Sequence, residues 1–389
     1  MSKRDRKFRK KKERERKVAK AKIRQREERR VAERNARFEE IRNLLASGDS
    51  PAPGGSVSRG ENEDAPPGSR ESEYDAERFN RYMWKAALEA GLDPYDLAGA
   101  EERALIEDWE EKREEMLERD PVELAHEIAL QALEEAELSD DDWEGSKRVQ
   151  LDMAEEALKL DPGNVDAQVI RGRLAFDESE EEGYDLLREA VRKGREALGP
   201  GFLAAHGSRT GTRVEARPFL RALDTLAFHL ETDHRFEEAM PHLLELHELG
   251  APRKRWLHRS LLDASLCLGR TDVARRLLRE SSDQFGPATP WAWILVDLLE
   301  GRPDAAARAL PGALKECPGV PHALMDDTLA DPARISEPVP EEILAAFPVT
   351  GVIGRAWRRV PGARDWLREA TRQGSAPAGG LKAIPGSGP

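Results

Sequence analysis

Cysteine is almost missing from this 389-residue chain, with Cys267 and Cys317 the only two. Two thiols support neither a disulfide framework nor a zinc site of the CxxC type. Long apolar runs are missing as well. Nothing approaches the roughly 18 uncharged apolar residues that a membrane helix needs. The N-terminus has charge but no apolar core segment, so it does not read as a secretory signal. No GxxxxGK[ST] phosphate loop occurs, and the GPGF stretch at Gly199 follows a helical pattern rather than a strand. The expectation is a soluble protein of a reducing compartment, the cytoplasm, with no membrane partner.

Charge, by contrast, is abundant. Asp, Glu, Lys and Arg make up 35% of the chain, against roughly 25% in an ordinary soluble protein. Apolar residues make up 39%, enough for a core but a thin one. The charge is also unevenly placed. Residues 1–45 hold 20 Lys+Arg and 8 Asp+Glu, a net +12, which leaves −25 for the rest of a chain whose total is −13. The arm lacks Pro and Gly and is rich in helix formers, so a long basic helix is expected there. Its densest positive stretch is Lys10, Lys11, Lys12, Arg14, Arg16 and Lys17. Apolar residues thicken only near Val31, Phe38 and Leu45, too few heptads for a coiled coil. Three readings stay open for it: a solvated charged helix, a contact with RNA or another polyanion, or a contact with the acidic remainder.

Composition marks further boundaries. Residues 46–72 are Gly, Pro, Ser and acid and read as a disordered linker, as do residues 374–389 at the other end. Between them a helical extension over 73–120, repeats over 121–330 and a helical cap over 331–373 are expected. One helix is expected over about 75–90, another through the segment GAEERALIEDWEEKREEMLERD, and a third opening at Pro121.

The repeats emerge from spacing. Four segments carry a turn residue, a small residue in the following helix and a closing proline. They are Gly145 with Pro162, His234 with Pro252, Gly269 with Pro287, and Gly301 with Pro318, each pair 17 or 18 positions apart. The turn position advances by 35 and then 32 residues across the last three. Gly in the turn permits a positive φ between antiparallel helices. Ala five residues on, at Ala239, Ala274 and Ala306, lets the second helix approach the first. His234 stands in one turn where glycine is expected, and Gln150 where the first unit would carry its Ala. Between Asp177 and Arg217 the period breaks, with an inserted helix near 181–198 and a Gly-rich loop. The pattern resembles the tetratricopeptide repeat, with its period of about 34 residues. It implies an all-α, right-handed helical-repeat solenoid; generic helical hairpins are the other reading.

A narrower likeness lies in AEEALKLDPGNVDAQVIRGRLA, GREALGPGF, ARPFLRALDTLAFHLE and AWRRVPGARDWL. With these pieces in order, residues 121–372 look like bacterial tetratricopeptide proteins grouped with the suppressor-of-tumorigenicity-seven family. The resemblance implies a scaffold and brings no catalytic function with it. Where such proteins carry an Asn-rich turn and a Gly-Val-Arg-Tyr stretch, this chain has ELGAPRKRWLHRSLL. A ligand read by that turn is therefore not carried over.

Candidate chemistry is sparse. His242 and His247 flank Glu245, but a spacing of five residues turns the two side chains roughly 140° apart on a helix, against the one-face pair of a zinc helix. His229 and His234 share that spacing. Cys267 sits in the apolar LLDASLCLG and reads as core, and Cys317 has no neighbouring base. Asp140, Asp141 and Asp142 suit a helix start better than a calcium loop. No catalytic residue, metal or cofactor is expected. What remains is a binding surface. In a tetratricopeptide array the first helices line the groove, and the register places Arg221, Asp224, Phe228, Trp256, Arg259, Asp263 and Trp291 there. The expected function is a scaffold that holds a peptide or protein partner in this groove. A factor associated with RNA or the ribosome through its basic arm is the alternative.

Overall fold

The computed structural model describes residues 73–373, apart from 98, 108, 139–142, 252–253 and 331–338. All of them belong to one compact unit, Glu71–Pro389. The basic arm, the linker, the tail and the acidic triplet 140–142 lie outside the described residues. Among these there are nineteen α-helices and no β-strand.

The chain enters through α1 (Glu73–Glu89), α2 (Ala100–Ile106) and α3 (Trp109–Arg119). The single helix expected across the last two is broken after Ile106, where Glu107 is extended. Trp109, which starts the second piece, packs edge-on against Phe79 of α1 at 5.2 Å. Next come α4 (Pro121–Leu138), α5 (Trp143–Leu160), α6 (Val165–Ala175) and α7 (Glu180–Leu198), each packed on the one before. A stretch of short turns follows, with α8 (Phe202–His206) in it. Then α9 (Arg217–Thr232), α10 (Phe236–Glu248), α11 (Lys254–Cys267) and α12 (Thr271–Glu280) again pack successively. After the single turn α13 (Ser282–Phe285) come α14 (Ala288–Leu299), α15 (Pro303–Glu316) and α16 (Val320–Met325). The chain closes with α17 (Glu341–Leu344), α18 (Phe347–Arg359) and α19 (Ala363–Gln373).

Three of the hairpin turns obey one rule. His234 has φ 60°, Gly269 φ 68° and Gly301 φ 69°, and His234 is the one described non-glycine residue with a positive φ. After each, the next N–H reaches back to a carbonyl five residues upstream: Arg235 to Leu230 at 2.8 Å, Arg270 to Ser265 at 2.7 Å, Arg302 to Asp297 at 2.8 Å. This bond, with a second one from the left-handed residue's own N–H to the carbonyl three residues upstream, satisfies carbonyls the helix end leaves bare. Five residues on, Ala239, Ala274 and Ala306 are fully buried, so the following helix comes close.

Two expectations are corrected. Gly145 lies inside α5 without a positive φ, because that helix starts at Trp143. Gln150 is buried there and donates to Ser146 Oγ at 2.9 Å. The helix near 181–198 is no insertion either, since α7 is the hairpin partner of α6 and also packs on α9. The true insertion is 199–216. It is tied to the end of α10 by Gly211 N–H donating to Leu249 O at 2.9 Å. A Cβ on Gly211 would stand 1.8 Å from Gly250 O, so the two backbones cross where no side chain fits.

One continuous apolar core runs from Val165 in α6 to Ala370 in α19. Near its C-terminal end α18 does not stack only behind α16. It also lies along α11 and α14.

Candidate partner-binding face

The face expected to bind a partner is the outward stripe of α9 and of α11. In α9, residues spaced three and four apart point away from the core formed by Phe219, Leu223, Leu226 and Leu230. That stripe contains Arg221, Asp224 and Phe228. Most of the corresponding surface on α11 is gone, because Leu257, His258 and all residues from Ser260 to Leu266 are buried. The chain covers much of this face with its own helices.

α1 covers one end. Glu77 accepts two hydrogen bonds from the Arg221 guanidinium, both at 2.9 Å. Asp166 of α6 accepts two more, at 2.8 and 3.0 Å. Both carboxylates are 1% exposed. Burial alone would raise the Glu77 pKa, but Arg221, with Arg217 and Arg81, holds it below the usual carboxylate range. The Arg221 guanidinium is held well above its ordinary value by the same two acids despite its burial. Bidentate pairs of this kind are strong and geometrically demanding. Arg221 is thus an internal tie between three helices and not a groove residue.

The same centre contains His126 of α4. Its Nδ1 is 3.5 Å from Asp166 and its Nε2 3.8 Å from Glu77, and Nε2 has no hydrogen-bond partner. Burial, then the charges of Arg81, Arg221 and Arg78, pushes its pKa well below the usual value. The imidazole is therefore neutral. Donor atoms of Glu77, His126 and Asp166 lie within 4.8 Å of one another, a donor set able to hold a divalent cation. The guanidinium of Arg221 already occupies the cation's electrostatic role.

α18 covers the other end. Arg355 Nε is 2.9 Å from Asp263 of α11, and its guanidinium also pairs with Glu231 of α9. Asp263 is 3% exposed. Burial pushes its pKa up to about 6, with Arg355 opposing and Glu231 adding to the rise. Trp291, expected on the groove, is instead fully buried, its ring 6.3 Å from that of Trp357 on α18. Cys267 lies 4.0 Å from Asp263, and burial pushes its thiol far above the ordinary range, so it is not poised as a thiolate nucleophile.

Besides Arg221, which is half-buried but tied to α1 and α6, four of the seven expected residues stay at or near the surface. Phe228 is 46% exposed and its ring is 6.2 Å from that of Trp256. Asp224 is half-buried and has an interaction of its own. Arg259, one turn beyond Trp256, is half-buried. Beyond Phe228, His229 stacks on Phe176 at 4.1 Å, extending the aromatic row to the end of α6. The open face is a window between α1 and α18.

Sequence reasoning missed Glu77, Asp166, His126, Glu231 and Arg355. A signal existed for Asp263, a lone acid within the apolar run LLDASL. None existed for Asp166, since an acid in a first helical turn is ordinary. No protein-family model matches this chain, and a search of curated proteins finds no match.

Proposed function

We propose that this protein is a scaffold of tetratricopeptide-like helical hairpins that holds a peptide or protein partner at the window formed by Asp224, Phe228, Trp256 and Arg259. One observation carries the reading: the exposed Phe228 beside the half-buried Trp256, on the first helices of adjacent hairpins and flanked by Arg259. Aromatic and Arg side chains are the usual anchors of protein interfaces. The repeated left-handed turns with a buried Ala five residues on support the tetratricopeptide-like description. The buried charge centres at Arg221 and Arg355 have a structural role in this reading, and the site carries no reaction.

The test is selection of peptides on the full chain, followed by anisotropy of labelled hits against Phe228→Ala and Trp256→Ala. Hits that bind both variants as well as wild type would refute the assignment of the window. A second reading rests on the +12 net charge of residues 1–45, which would hold RNA or another polyanion. Binding of labelled RNA that falls steeply with salt and is lost on deletion of residues 1–45 is its expected signature. Absence of RNA binding at low salt would end it.

A further inference from the structure

The charge of the window names the partner more closely, an inference that rests on the scaffold reading. Outside the arm the chain carries 67 acids and 42 Lys+Arg, so basic groups in the body have no shortage of partners. Several half-buried arginines follow suit. Arg78 reaches Asp75, Glu127 and Glu134, Arg275 reaches Asp297 and Glu300, and Arg355 reaches Glu231 and Asp263. Arg213 instead lies over the Tyr95 ring at 3.7 Å. Arg259, beside the window, has neither kind of contact: its Nε is shielded from water with no hydrogen-bond partner, and among the described residues it forms no ion pair. A guanidinium partly withdrawn from water and left without an acceptor costs free energy that a bound carboxylate would recover. At the far end of the aromatic row Arg173 is exposed, its charge felt by His229.

We infer that the window takes a short acidic peptide, with a bulky apolar side chain against the Phe228 and Trp256 rings and a neighbouring carboxylate on Arg259. The order of parts is set by the helix. Trp256 and Arg259 are three residues apart on α11 and so lie on one face, which places the apolar and acidic groups of the ligand side by side. A single-stranded nucleic acid offers bases for the rings and phosphates for the arginines. It would have to run its polyanionic backbone across a body of net −25, whereas a short peptide meets only the local arginines.

The experiment uses the full chain and random dodecapeptide display, with fluorescence anisotropy on the selected peptides, their Glu/Asp→Gln/Asn analogues and a labelled oligo(U). Selected peptides are expected to be enriched in acid next to an aromatic or large aliphatic residue. Neutralising their carboxylates should weaken binding about tenfold or more, as expected for a charge-assisted bond. Arg259→Met should do the same while Arg259→Lys recovers part of the affinity. Because the peptide analogues leave the protein untouched, the result does not depend on how the variants fold. Peptides lost on Trp256→Ala yet indifferent to their own charge and to Arg259→Met would overturn the acidic partner and leave the scaffold standing. Failure to select any peptide would overturn both. Oligo(U) binding that depends on Arg259 would overturn the peptide in favour of nucleic acid.

Discussion

Arg221→Met is the most informative single change, because it removes a guanidinium that two buried carboxylates share. Met preserves most of the apolar stem and none of the four hydrogen bonds to Glu77 and Asp166. Both acids are 1% exposed, so each would be left with a charge that water cannot reach. Arg217, 3.5 Å from Glu77, supplies only partial compensation. Breaking a buried pair from one side costs about 3–5 kcal/mol, and that range is expected for Arg221→Met at pH 7. The pH dependence has a definite sign. In the wild type the depressed Glu77 pKa contributes stability above its unfolded value that is lost as pH falls. In the variant the carboxyl pKa rises instead, so the deficit should shrink as pH drops from 7 towards 5. Glu77→Gln and Asp166→Asn added to Arg221→Met should recover most of the loss, because no uncompensated charge remains. With the guanidinium gone, the donors of His126, Glu77 and Asp166 become available to a cation. Zinc or manganese at a hundredfold excess over its Kd should return about 2.7 kcal/mol to the variant and leave the wild type unmoved. Urea denaturation at several pH values, with and without metal, reads all of this. A loss below about 1 kcal/mol, unchanging with pH, would refute the account of the charge centre.

Other parts of the fold carry three further expectations. Asp263, with its pKa pushed up to about 6, holds its proton more tightly folded than unfolded, so its contribution is largest below about pH 4 and is lost as pH rises through 6. Ionising it costs roughly 3 kcal/mol, and Asp263→Asn should flatten urea midpoints between pH 4 and 7; an unchanged slope would count against its burial. His234→Gly should stabilise by about 1 kcal/mol and Gly269→Ala should destabilise by about as much, because both turns demand a left-handed residue. Equal effects of the same sign in thermal melts would contradict that. Gly211→Ala should cost about 3 kcal/mol, since its Cβ would collide with the backbone of Gly250; a near-neutral melt would show that the insertion does not dock there.

Much of the helical order was legible in local signals. Pro121 opens α4 as expected, and the extent of α1 matches its apolar spacing to within a residue or two. The turns at His234, Gly269 and Gly301 were readable because a helix C-terminus has a local chemistry. It needs one residue at positive φ and a fixed pattern of returning N–H groups, both set within six residues. The hidden break after Ile106 and the true start of α5 were not readable, since helix ends shift by a residue or two at small energetic cost.

The candidate site divides along the same line. Residue types and helical register, which are properties of the chain alone, put Arg221, Asp224, Phe228, Trp256, Arg259, Asp263 and Trp291 on the first helices of hairpins. Whether each meets water was decided by α1 and α18, which arrive from distant parts of the sequence. Glu77 is 144 residues from Arg221, and Arg355 is 124 from Glu231. No local pattern announces such a contact, because a carboxylate looks the same in sequence whether it is solvated or paired in the core. Periodicity determined which side of each helix could face outward. Tertiary packing determined how much of that side remains open, and left Phe228, Trp256 and Arg259 as the part that is not closed off by the chain's own helices.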